Sequence, residues 1–191
     1  MAKLFFIFWI SLSTFKSFAL EKCNFGLDKS FFKISFSFYV DDERKEIKGF
    51  FKDQIIQGSL FGNSVRNITK DLKVFIPYSS ITSFNTTRDR LIYNALIDGD
   101  KNKENQIKVR VISLEKEFIT LELQLNKVTK KVKFKFDSQD TSMQSIGYID
   151  IQDFGLEELK RTLENKYKLK FWNDIFIDIK AQFSKNCSTD L

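Results

Sequence analysis

The sequence predicts a mainly β chain folded as a single antiparallel β-barrel of about eight strands with two short helices. Three observations predict it. Apolar and polar residues alternate at a period of two in run after run. The connections between the clearest runs are short, as hairpins require. Only two stretches switch to helical spacing. With 191 residues, 42% of them hydrophobic and 22 of them Phe, the chain can build one domain with a substantial core. It is too apolar to be disordered. A single proline (Pro77) and 7 glycines leave no linker-like segment, and no internal repeat divides the chain.

The opening "MAKLFFIFWISLSTFKSFALEKC" reads as a secretory signal. Lys3 supplies the positive start, residues 4–15 are uncharged, and "SFA" offers small residues for a cut after Ala19. The run is well short of the roughly 20 apolar residues of a membrane span. Glu21 and Lys22 precede Cys23 where a lipoprotein signal wants small residues. Residues 1–19 are therefore expected to be removed, leaving a domain over 20–191 in the periplasm or secreted. In an oxidising compartment Cys23 and Cys187 are expected to pair and join the two ends of that domain; two unrelated thiols are the alternative.

The strands follow in order. In "FFKISFSFYV", Phe32, Ile34, Phe36, Phe38 and Val40 share one face, against Lys33, Ser35, Ser37 and Tyr39. Weaker strands are expected over 46–52, 72–78, 106–112 and 146–151. In "FITLELQL", Ile119, Leu121, Leu123 and Leu125 form the apolar face, and in "KVKFKF" Val132, Phe134 and Phe136 do. Near the end Ile175, Ile177, Ile179, Ala181 and Phe183 alternate with Phe176, Asp178, Lys180 and Gln182. Such alternation belongs to antiparallel sheet with one wet and one buried face. The first helix is expected over 86–97, with Gly99 just past its end. The second is expected over 156–168, with Leu156, Leu159, Leu163 and Tyr167 near one stripe. A barrel of this size can be filled or can hold one small ligand. The phenylalanines fit either state.

Composition excludes much chemistry. The chain has no histidine, which removes histidine general bases, histidine-dependent nucleophiles and histidine metal ligands. Two cysteines cannot make a structural zinc site alone. No metal, cofactor or nucleic-acid partner is predicted. Asp153-Phe154-Gly155 spells a kinase tripeptide without the other kinase signatures. "DGDKNKEN" over 98–105 resembles a calcium loop but lacks its spacing and its bidentate Glu. An enzyme would have to use carboxylates such as Asp150 and Asp153; capping or surface roles are commoner. The net charge of +6 is dispersed. Lys131, Lys133 and Lys135 share one strand face, read as solvated, with an anionic-lipid or polyanion site as the minority reading.

Four segments in order resemble the YceI-like family of exported bacterial proteins. "GFFKDQ" resembles its early Gly-x-Phe strand. "SSITSFNTTRDRLIYNAL" resembles its "SI-x-T-x-N-x-x-RD-x-x-L" segment through Ser80, Ile81, Asn85, Arg88, Asp89 and Leu91. "LNKVTKKVKFKF" resembles its "G-V-T-K-x-V" hairpin through Val128, Thr129, Lys130 and Val132. "YIDIQDFGLEEL" with "FWNDIFIDI" resembles its closing Asp-Phe-Gly segment, helix and last strand. Lys127 replaces the usual Gly before Val-Thr-Lys, and Ile151 replaces an Arg before Asp-Phe-Gly. With the paired cysteines, these departures suit a divergent branch.

The resemblance implies a lipocalin-like barrel around a long apolar ligand, such as an isoprenoid or a fatty-acid-like amphiphile. Ile34, Phe36, Phe38, Leu72, Val74, Leu121, Leu123, Phe134, Phe136 and Trp172 would then line the tunnel. Asn85, Arg88 and Asp89 would meet the ligand head group or cap the first helix. Contact with a membrane surface and a homodimer are further expectations. The rival reading is a filled barrel serving as a periplasmic interaction or structural module. It would use the outward aromatics Phe31, Tyr39, Phe75, Phe118 and Phe176.

Overall fold

Long alternating runs make long strands, and the two longest hold the molecule together. A computed structural model describes residues 21–99 and 104–189. The expected signal segment, residues 1–19, lies outside the described residues, as does the middle of the 98–105 loop. In chain order the elements are β1 (Glu21–Val40), β2 (Lys45–Phe51), β3 (Ile55–Gln57), β4 (Phe61–Gly62), α1 (Val65–Lys70), β5 (Lys73–Pro77), β6 (Ile81–Thr82) and α2 (Thr86–Gly99). Then come β7 (Gln106–Leu114), β8 (Phe118–Leu125), β9 (Val128–Gln139), β10 (Ser142–Asp150), α3 (Glu157–Tyr167) and β11 (Phe171–Thr189).

β1 and β11 pair antiparallel from Glu21 opposite Thr189 to Val40 opposite Phe171, with irregularities between Asp28 and Lys33 and between Phe38 and Val40. The full order is β3-β5-β7-β8-β9-β10-β11-β1-β2-β6, with β4 added beside β1. The ends of this curled sheet meet through the chain itself. β5 pairs with β7, and β6 pairs with β2. Only the 3-10 turn Tyr78–Ser80 separates β5 from β6. One bent stave therefore serves both edges, and neither is left as a long open template.

Among the described residues eleven strands replace the expected eight or so. The ring itself has eight staves when β5 and β6 are taken as one. The surplus comes from that bend and from the short β3 and β4, which lie outside the ring. Among the described residues the α-helices number three, not two. α1 is six residues long, too short to show a helical period in the sequence.

α1 lies across one end of the barrel, here the lower end. The Ser64 side chain accepts a hydrogen bond from the Asn67 N–H at 3.2 Å and caps the helix. Val65, Ile68 and Thr69 are buried. The Thr69 hydroxyl donates to the Val65 carbonyl at 2.8 Å and lies 3.4 Å from the Met143 sulfur on β10. Arg66 reaches the β7–β8 hairpin, donating to the carbonyls of Leu114, Glu115 and Lys116. Cys23 and Cys187 sit opposite each other at the same end and form a disulfide spanning 164 residues of sequence. Closing so long a loop is worth up to about 5 kcal/mol.

The alternation places the faces as expected. Phe32, Ile34, Phe36, Phe38 and Val40 are all buried, as are Ile119, Leu121, Leu123 and Leu125.

Candidate functional site

Packing fills the lower end of the barrel but not the upper. Beneath α2 and α3 lies an apolar cavity of about 160 Å³. Ile34, Phe36 and Phe38 of β1, Leu121 and Leu123 of β8, Phe134 of β9 and Trp172 of β11 line it. Leu72, Val74 and Phe136 do not, although all three are buried. Leu72 and Phe136 belong to the end that α1 seals: the Arg66 guanidinium of α1 lies 5.4 Å from the Phe136 ring. Alternation put these residues inward correctly, but it carries no information about height along the barrel axis.

Several cavity residues were not singled out from sequence. Phe51, Ile76, Ile81, Ile149, Ile151 and Phe171 complete the wall, and Ile151 is the position of the missing Arg. Ile92 and Leu96 of α2 form part of the roof, with Leu159, Lys160 and Leu163 of α3 and Leu156 just before it. The apolar stripe of α3 was the available signal for the roof. Val109, Val132, Ile175 and Ile177 face inward yet are only half-buried. Inward apolar groups that keep accessible surface line a void, since a packed core would cover them.

Two glycines shape the wall. A Cβ on Gly49 would meet the Phe36 ring at 2.3 Å, and one on Gly147 would meet the Phe134 ring at 2.1 Å. Glycine lets each phenyl ring lie against the neighbouring strand backbone. The rings thus leave room that an upright rotamer would take.

The family-like segments are joints around the upper rim. The Asn85 Oδ1 accepts from the Arg88 N–H at 2.9 Å and caps α2. Asp89 accepts from both the N–H (2.8 Å) and the hydroxyl of buried Ser83. Arg88 donates to the Ser83 hydroxyl at 2.7 Å and to its carbonyl, with its guanidinium 5.8 Å from the cavity-lining Phe38 ring. Arg88 and Asp89 therefore clamp the turn into α2. Lys130, from Val-Thr-Lys, pairs with Asp153, from Asp-Phe-Gly, at 2.7 Å. The Asn126 amide donates to the carbonyls of Phe154 and Gly155, each at 3.0 Å. Gly155 adopts a left-handed φ of 64° and ends the turn that leads into α3. Asp150 accepts from the Gln152 N–H at 2.8 Å. Both carboxylates considered for catalysis thus hold the approach to α3.

Polar groups gather at one side of the mouth. The Trp172 indole donates to the Asp41 carbonyl at 2.8 Å under the Arg44 guanidinium, 4.1 Å from the ring. The Lys170 ammonium lies 2.8 Å from Asp42 and holds that carboxyl below its usual range. Lys160 is the one charged residue on the cavity wall among the described residues. Its Nζ donates to the Asn173 Oδ1 at 2.7 Å and stands 3.8 Å from Glu164. A polar cleft bounded by Asp150, Lys160, Lys170, Phe171, Trp172, Asn173 and Asp174 adjoins the cavity there.

The outward aromatics stay on the outer face. Phe31 and Phe118 are exposed, and Phe176 packs on Tyr148 at 5.2 Å. Lys131, Lys133 and Lys135 are exposed on β9, and Lys133 pairs with Glu115 at 3.2 Å.

The sequence matches the YceI-like domain model over residues 25–183. No curated protein matches the chain. Among solved structures the chain is similar to a polyisoprenoid binding domain from Saccharophagus degradans implicated in plant cell wall breakdown. That match has 13% identity, covers 85% of this chain and 98% of that one, and has a TM-score of 0.61. Burkholderia cenocepacia BcnA matches with 12% identity, 83% and 99% coverage and a TM-score of 0.58. The Campylobacter jejuni YCEI protein matches with 18% identity, 76% and 87% coverage and a TM-score of 0.53. At these identities the likeness shows a shared fold.

Proposed function

This chain belongs to the YceI-like domain family, and we propose that it is an exported carrier or sink for a long apolar chain, an isoprenoid or a fatty-acid-like amphiphile. The observation that carries this reading is the apolar cavity under α2 and α3, about 160 Å³ and lined almost wholly by carbon. Each methylene moved there from water is worth about 0.8 kcal/mol. The polyisoprenoid-binding neighbour of the same fold supports the isoprenoid class. An apolar cavity of about 150 Å³ holds one benzene-sized group, so a whole chain needs α2 and α3 to part. Both helices are held at the rim by the joints described above and cross no strand ladder, so they can move without unpairing the barrel.

A cleaved leader over residues 1–19 and delivery to the periplasm or beyond complete the proposal. The disulfide supports it, since such bonds persist in oxidising compartments. Phe84 is 77% exposed and packs on Phe50 at 5.5 Å, beside Arg88 and Arg90 at the start of α2. That pairing of apolar and basic groups near the roof supports contact with an anionic membrane surface during transfer.

The rival interaction-module reading requires a filled interior, and the cavity weighs against it. The test is native mass spectrometry of mature protein from the periplasm, with lipid analysis of an organic extract. One apolar adduct per chain is the expected result, on a polypeptide starting near residue 20 and two hydrogens light. Repeated failure of the delipidated protein to take up any polyprenyl or acyl chain overturns the carrier reading.

A further inference from the structure

Lys160 combines two environments. Its stem lies in the apolar wall, while its ammonium reaches the polar cleft beside the cavity mouth. A lysine can bury its methylenes in this way and keep its charge at a polar boundary. Asn173 stands beside it on β11 and shares the inward parity of Phe171, Ile175 and Ile177, all of which line the cavity. The ordinary explanation is an ion pair with Glu164, one helical turn on. That pair is long, at 3.8 Å, and the Glu164 Oε1 already accepts the Phe171 N–H at 3.0 Å. An ammonium has three donors. Only the bond to Asn173, at 2.7 Å, is of full strength.

We propose that Lys160 and Asn173 form the head-group site for the chain held in the cavity, and that the ligand is an amphiphile ending in an acidic oxygen group, a carboxylate or a phosphate monoester. This rests on the carrier reading and names the polar end of its ligand. A chain lying among Phe171, Ile175 and Leu159 has its outer end at the cleft that shares Lys160, Phe171 and Trp172 with the cavity. The ammonium and the Asn173 amide then donate to the anionic oxygens, while Lys170 borders the cleft paired with Asp42 at 2.8 Å. Two aspartates also border the cleft. Asp150 and Asp174 stand opposite each other in register, on the outward parity of their strands, and Asp150 is occupied by the Gln152 N–H. They set the outer limit of the head group, while its inner oxygens meet donors. Arg88 does not compete for this role, because its guanidinium is committed to Ser83.

The test compares three ligands of one chain length: hexadecanoic acid, hexadecyl phosphate and hexadecan-1-ol. Binding to mature protein is read from the fluorescence of Trp172, which lines both cavity and cleft. The acid or the phosphate is expected to bind about ten-fold more tightly than the alcohol, and whichever leads identifies the head group. Lys160→Met is expected to erase that preference, and Lys160→Arg to restore most of it. Equal affinities in the natural protein, or a Lys160→Met variant that keeps the preference, overturns the head-group site while the carrier reading stands. Binding of none of the three overturns the head-group site, and refusal of polyprenyl chains as well overturns the carrier reading.

Discussion

The two ends of this barrel are built from the same alternating strands and end in different states. The lower end is sealed by α1, by Arg66 on the β7–β8 hairpin and by the Cys23–Cys187 disulfide. Its side chains are covered, down to the fully buried Ile68 and Thr69. The upper end is roofed by α2 and α3, and its walls at Val132, Ile175 and Ile177 stay half-open to a cavity. The difference teaches that inward-facing and packed are separate properties. The strands decide the first. What lies across the barrel ends decides the second.

The largest expected effect is at the sealed end. Replacing Cys23 and Cys187 together by serine should lower stability by up to about 5 kcal/mol, since the closed loop spans 164 residues. Denaturant unfolding with and without reductant measures it. An unchanged midpoint would mean that the sealed end does not depend on its covalent tie.

A matched pair of truncations sharpens the contrast. Ile68→Ala empties a site with no exposed surface and should cost about 2–5 kcal/mol. Ile177→Ala merely enlarges a void and should cost about 1 kcal/mol, by loss of transfer free energy from a half-buried chain. Equal costs in chemical denaturation would break the comparison and point to a collapsed upper end.

The smallest effect tests a rim joint. Lys127 adopts a left-handed φ of 67° in the β8–β9 turn, where the resembled family carries Gly. A non-glycine residue pays a steric penalty there, partly offset by the greater chain entropy of glycine. Lys127→Gly should therefore raise stability by up to about 1 kcal/mol, seen as a higher thermal midpoint. Destabilisation would mean that the Lys127 side chain does work at the rim that its backbone angle does not reveal.

Much of this was legible along the chain. Period-two alternation identified the inward faces of β1 and β8 because side chains on a strand must alternate between faces. Helical spacing found α2 and α3 to within a few residues. Asn85 and Asp89 read as cap and first-turn acid, and the structure gives both that geometry. Other features were illegible for stated reasons. α1 has six residues and no period to display. β3 and β4 are two or three residues each and exist only because a neighbour pairs them. The bend that turns β5 into β6 is decided by partners on two different strands. Phe136 and Phe134 sit two apart on one strand face, yet only Phe134 meets the cavity.

The sequence by itself determined an antiparallel barrel, the faces its side chains take and the cap and first-turn acid of α2. These depend on near neighbours or on a repeating period, and both are written locally. Only the tertiary structure decided which half is hollow, which aromatic rings fold flat over Gly49 and Gly147, and that Lys160 stands where carbon gives way to polar atoms. Those facts depend on groups far apart in sequence meeting at one height of the barrel, and a period of two records the side of a strand but not its height.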